Sequence, residues 1–122
     1  MTTKNNPFLP TMIVFDLDDC LWSPEMHELY GMPNQPVQGI LNPHVADKQQ
    51  QLQGVVGLKN KHGDTVRLYD GARRALYELA TDPQYRNVVI AVASTSLEPR
   101  YSHACLEGIE VLPGKTMRDM IQ

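Results

Sequence analysis

The chain has 122 residues, 42% hydrophobic and 20% charged, with 14 acidic against 11 basic side chains and a net charge of −3. That balance belongs to one soluble globular domain with a single core, not to a disordered segment. The lack of a basic block argues against duplex nucleic acid as a partner, and no run approaches the roughly 20 apolar residues of a membrane helix.

Residues 1–10 are polar, carry Pro7 and Pro10, and lead into the apolar run Met12-Ile13-Val14-Phe15. Such a run predicts a buried strand over about 11–16. It passes straight into Asp16-Leu17-Asp18-Asp19-Cys20-Leu21-Trp22. Residues two apart in an extended chain project to one face. Asp16 and Asp18 are therefore aimed at one spot, at the strand edge where open α/β sheets hold their ligands. Crowding two carboxylates is costly unless a cation or a shared proton relieves it, so the pattern predicts a metal-assisted acid/base site.

From Pro24 to about Lys48 the chain carries Pro24, Pro33, Pro36 and Pro43, shows no sustained period, and runs into Gln49-Gln50-Gln51-Leu52-Gln53. The expectation is a flap or insertion at about 24–64 within one domain spanning 1–122, of the kind that is usually functional or mobile. Gly54-Val55-Val56-Gly57-Leu58 and Asp64-Thr65-Val66-Arg67-Leu68-Tyr69 flank a glycine-containing turn and predict a β-ribbon. Asp70 is a good N-cap residue for a following helix, whose buried face is Ala72, Ala75, Leu76, Leu79 and Ala80. Asp82-Pro83 stops it. Val88 to Ala93 is apolar throughout, as for a strand covered on both faces, and ends at Ser94-Thr95-Ser96. A helix follows over about 98–107. The last piece, from Thr116 to Gln122, places Met117, Met120 and Ile121 on one face, expected to be exposed because no later element covers them. Strand, helix, strand, helix implies an α/β fold with a parallel sheet and right-handed crossovers.

In a parallel sheet both strand ends lie on one edge, so Asp16, Asp18, Ser94 and Thr95 can converge. Carboxylates suit Mg²⁺, while hydroxyls and loop N–H groups suit phosphate oxygens. Together they fit phosphoryl transfer, where positioning and charge neutralisation do most of the catalysis. A D-x-D pair alone reads more simply as a strand or turn cap. The apolar run before it, Leu21-Trp22 after it and the distant Ser94 favour the site.

The segment Asp16 to Trp22 resembles the D-x-D-x-[TV]-L motif of the haloacid dehalogenase (HAD) superfamily. Its DLDxxLW form, with Val66-Arg67-Leu68-Tyr69 before the helix and Ala91-Val92-Ala93-Ser94 later, resembles the magnesium-dependent phosphatase-1 family over about residues 11–122. This resemblance implies a HAD-like Rossmannoid parallel sheet with helices on both faces, a small β-ribbon flap, and a missing C-terminal part. It implies Mg²⁺-dependent hydrolysis of phosphate monoesters, with a phosphorylated small molecule (a sugar phosphate) or a phosphotyrosine protein as substrate. Asp16 would be the nucleophile that becomes an aspartyl phosphate and a Mg²⁺ ligand. Asp18 would act as general acid and then base, its backbone carbonyl joining the metal shell. Ser94 would hold the phosphoryl group, with Thr95 beside it where the family often has arginine. Cys20 stands where Thr or Val is common and is expected to be a small buried filler.

The resemblance also implies a third-motif Lys or Arg and a fourth-motif acidic pair. No Asp-Asp pair follows Ser94, Glu107 and Glu110 follow no apolar strand, and Asp119 lies on the terminal helix. Lys115 is expected in the loop before the third motif. The chain thus reads as a fragment, an incomplete gene model or a degenerate copy, and a non-catalytic phosphate- or partner-binding module is the alternative function. Gly114-Lys115-Thr116 resembles the end of a P-loop, but Ile109 stands where its leading glycine belongs. Neither Cys20 nor Cys105 has an arginine six residues on, which excludes a cysteine-based phosphatase. The two cysteines make no metal pattern or disulfide framework, and His27, His44, His62 and His103 read as solvated rather than as zinc ligands. With no secretion-signal pattern at the N-terminus, a reducing cytoplasm is the expected compartment.

Overall fold

Parallel pairing joins the two apolar runs that flank the candidate site residues. A computed structural model describes residues 8–94 and 98–121. In chain order its strands and helices are β1 (Met12–Asp16), β2 (Trp22–Ser23), β3 (Gln35–Ile40), β4 (Gln53–Lys59), β5 (Thr65–Leu68), α1 (Asp70–Thr81), β6 (Val89–Ala93), α2 (Pro99–Gly108), β7 (Glu110–Leu112), β8 (Lys115–Thr116) and α3 (Met117–Met120). β1 and β6 run parallel, with Met12 opposite Val89 and Asp16 opposite Ala93. The segment between them supplies an antiparallel sheet in the order β2-β5-β4-β3, and β7 with β8 forms a small hairpin. The protein is mixed α/β.

The flap is more regular than its sequence predicts. The β4–β5 ribbon forms as expected, but β3 arises within the proline-rich stretch that shows no period. Pro36 and Gly39 hide it from a pattern search. β3 is an edge strand, where a residue without an N–H is tolerated, and its register shifts between Val37 and Gln38. In central β4, Gly57 is required by close approach: a Cβ there would lie 2.6 Å from the Val66 carbonyl oxygen.

The core gathers Leu17, Trp22, Met26, Val66, Leu76 and Ile109, among others, between the antiparallel sheet and the helices. α2 packs on β4 and on α3, while α1 packs on β7. α1 starts at Asp70, but Tyr69 occupies the cap position without a side-chain bond. Asp70 therefore stands in the first turn, where its charge favours the positive end of the helix.

Three expectations need correction. β1 is not buried: Met12 and Val14 are 54% and 55% exposed, because no described element covers that face. Its alternate residues Ile13 and Phe15 face Ala75 and Leu79 of α1. β6 is likewise only partly covered, with Val89, Ala91 and Val92 half-buried and Ala93 exposed. Met117 and Met120 are buried, not exposed, because α3 packs against α2 and its start is fixed by a reciprocal Thr116–Asp119 capping box. Cys20 is exposed rather than a buried filler, since it lies in the turn beyond β1.

Candidate active site

Asp16 is the last residue of β1 and is exposed. Its Oδ1 accepts the Leu17 N–H at 2.9 Å, and its Oδ2 accepts from no described residue. Immediately beyond, the chain turns over on itself. The Leu17 carbonyl accepts the N–H groups of Cys20 at 3.2 Å and Leu21 at 3.0 Å. Asp19 takes a left-handed backbone with φ of 56°, a conformation short polar side chains tolerate.

That turn gives the two aspartates different surroundings. Asp18 is half-buried, and both its carboxylate oxygens accept hydrogen bonds. Oδ1 takes the indole Nε1–H of fully buried Trp22 at 3.0 Å, and Oδ2 takes the backbone N–H of Met26 at 3.0 Å. These bonds fix the carboxylate to the first turn of the flap. Burial, and then the nearby charge of Asp18, push the Cys105 thiol up to about 12. Asp19 accepts from the Tyr69 hydroxyl at 2.6 Å, and this bond raises the tyrosine above its ordinary pKa. The start of α1 is thereby tied to the same turn.

Ser94 follows Ala93, the register partner of Asp16, so both leave the parallel pair at one edge. Thr95 lies outside the described residues. Lys115 is half-buried and lines a cavity of about 320 Å³ with Pro83, Val88 and Asp119. That places it by the start of β6, at the end opposite Ser94.

A metal reading fits the oxygen donors present. Mg²⁺ takes oxygen ligands and retains several waters, and Asp16 presents Oδ2. The Asp18 backbone carbonyl, which accepts from no described residue, lies two positions away. Sequence reasoning missed a second group, Glu25, His27 and Glu28, whose ligand atoms lie within 4.8 Å of one another. Glu25 Oε2 and His27 Nε2 are 3.5 Å apart. Its signal was the short Glu-x-His-Glu spacing beside Met26, whereas histidine-to-histidine spacing was what had been weighed.

The model of the acid phosphatase family matches residues 8–122. The chain belongs to the acid phosphatase family. This is a HAD-like phosphatase family, so the resemblance read from Asp16 to Trp22 holds at the level of the superfamily and of phosphatase chemistry. HAD-like phosphatases are generally metal-dependent, in keeping with the oxygen donors at Asp16 and Asp18. No curated protein and no solved structure matches the chain. Among the described residues of this acid phosphatase family member, no helix is long and apolar enough to cross a membrane.

Proposed function

We propose that the protein hydrolyses phosphate monoesters with Mg²⁺ through an aspartyl phosphate on Asp16. The observation that carries this reading is the open Asp16 carboxylate, in register with the residue before Ser94, beside a fully hydrogen-bonded Asp18. Asp16 Oδ2 attacks phosphorus, and the ester P–O bond breaks as Asp18 delivers a proton to the leaving oxygen. Water then gives a proton back to Asp18 and attacks the same phosphorus, which frees inorganic phosphate and restores the Asp16 carboxylate. Ser94, with Thr95, holds the phosphoryl oxygens during both transfers. Bound by Asp16 and the Asp18 carbonyl, Mg²⁺ would offset the negative charge of carboxylate and phosphate.

The magnesium-dependent phosphatase-1 resemblance favours sugar phosphates or phosphotyrosine proteins as substrates, acted on in the cytoplasm. The test is release of phosphate from p-nitrophenyl phosphate with and without Mg²⁺, using Asp16→Asn as control. Turnover that needs both Mg²⁺ and Asp16 is expected. Turnover retained by Asp16→Asn would overturn the nucleophile assignment. A second reading, a phosphate- or partner-binding module without turnover, is favoured by the placement of Lys115 away from the Asp16 edge. A folded but inactive wild type would select it.

A further inference from the structure

Arg73 is a cation that the proposed chemistry does not use. It lies in the first turns of α1 and is 7% exposed. Its Nη1 donates to the Glu110 carbonyl at 3.0 Å and its Nη2 to the Val56 carbonyl at 3.3 Å. Carbonyls satisfy hydrogen bonds without neutralising a charge. Among the described residues no carboxylate forms an ion pair with it. Buried charges are ordinarily paired, because desolvation is otherwise expensive, and burial here lowers the Arg73 pKa.

A cavity of about 460 Å³ opens beside this arginine, lined by Pro43, His44, Asp70, Gly71, Arg73 and Arg74. Arg74 is exposed on the rim and uses only its Nε, toward Glu78 at 3.2 Å, so both of its Nη groups donate to no described residue. His44 is held edge-on against Tyr77, with ring centroids 5.0 Å apart. Against these groups stands the single exposed carboxylate of Asp70. Two guanidiniums and an imidazole therefore outweigh one acid. The cleft also opens next to the candidate active site, since Tyr69, the residue before Asp70, bonds Asp19 at 2.6 Å.

We propose that this cleft receives a second oxyanion, phosphate or carboxylate, carried by the same substrate whose ester phosphate reacts at Asp16. Planar guanidinium groups recognise both oxyanions through paired N–H donors. The preferred substrates are then phosphate esters with two separated negative groups. This rests on the reading of Asp16 as the reacting carboxylate, so the test has two arms.

Arg74→Glu is the variant of choice, because the side chain is exposed and its ion pair with Glu78 contributes little to folding, whereas replacing buried Arg73 risks unfolding. In the binding arm, inorganic pyrophosphate is titrated calorimetrically into wild type, Asp16→Asn and Arg74→Glu. Binding is expected in wild type and Asp16→Asn, at least fivefold weaker in Arg74→Glu. Absence of binding in wild type, or equal binding in Arg74→Glu, overturns the cleft. In the kinetic arm, kcat/KM is measured for p-nitrophenyl phosphate, a sugar bisphosphate and 3-phosphoglycerate. Arg74→Glu should lower the ratio of either dianionic substrate to p-nitrophenyl phosphate at least tenfold through KM. The larger of the two losses identifies phosphate or carboxylate as the favoured second group. Equal losses on all three substrates would mean that Arg74 acts only structurally. If wild type turns over none of them yet binds pyrophosphate through Arg74, the anion cleft stands and the phosphatase reading fails.

Discussion

Replacing Trp22 with phenylalanine tests whether Asp18 is held in place by the protein's own core. The indole is fully buried, and its Nε1–H donates to Asp18 Oδ1 at 3.0 Å. A hydrogen bond to a charged group contributes about 1.5–3 kcal/mol, and the smaller ring leaves a void costing about 1 kcal/mol more at the usual rate per unit volume. Trp22→Phe should therefore destabilise the fold by about 2–4 kcal/mol, read from urea unfolding midpoints. Much of that loss should vanish when Asp18 is already alanine. A double-mutant cycle of Trp22→Phe with Asp18→Ala should give a coupling energy of about 1–2 kcal/mol. Met26 N–H remains on Oδ2, so the carboxylate keeps one of its two anchors. The expected catalytic consequence is a loss of about tenfold in kcat for p-nitrophenyl phosphate with KM little changed, equivalent to about 1.4 kcal/mol of transition-state stabilisation. Stability effects that add to within about 0.5 kcal/mol would refute the claim that the indole and carboxylate act as a unit.

The two cysteines should behave oppositely. Cys20 is exposed and Cys105 is buried with its thiol pushed up to about 12, so a disulfide reagent at pH 8 should titrate one thiol in the folded chain and two in urea. Because the folded pKa of Cys105 lies above its ordinary 9.0, its contribution to stability is complete below 9.0 and fades as pH rises toward about 12. The urea midpoint should fall less across that window in Cys105→Ala than in wild type. Gly57→Ala, which forces a Cβ against the Val66 carbonyl, should cost about 1–3 kcal/mol by the same assay. Thr116→Ala removes half of the α3 capping box and should cost about 1 kcal/mol, with faster amide exchange around Met117 and Met120.

The legible parts of the sequence were those governed by local chemistry. Apolar runs ending at Asp16 and Ser94 announced the parallel pair, and the glycine turn between two short apolar stretches announced the ribbon. β3 stayed hidden because its proline and glycine are tolerated only at an edge with a register shift, and that position is decided by β4 rather than by β3 itself. Arg73 was invisible for a related reason. It stands next to Ala72 on a helix whose buried face was read from small and apolar residues, yet the carbonyls of Glu110 and Val56 draw it inward. Those acceptors lie 37 and 17 residues away in the chain. The different surroundings of Asp16 and Asp18 also escaped a two-residue alternation argument, which assumes that the strand continues. It stops at Asp16, and the turn that follows carries Asp18 to Trp22 and Met26.

These contacts close a ring. Asp18 bonds Trp22, Trp22 pairs with Leu68 across β2 and β5, Tyr69 follows Leu68, and the Tyr69 hydroxyl returns to Asp19. The Tyr69 N–H on the Leu21 carbonyl at 2.9 Å braces the ring across its middle. The flap and the first turn of α1 are thus joined to the reacting edge through one short loop. Displacing the flap pulls on Trp22 and so on Asp18, whereas displacing α1 pulls on Asp19. Asp16, fixed by the β1–β6 register and bonded only to its neighbouring N–H, lies outside the ring. A substrate anion seated beside Arg73 and Arg74 would press on the α1 side of the ring and transmit that contact to the loop bearing the proton carrier, leaving the nucleophile where the parallel pair holds it.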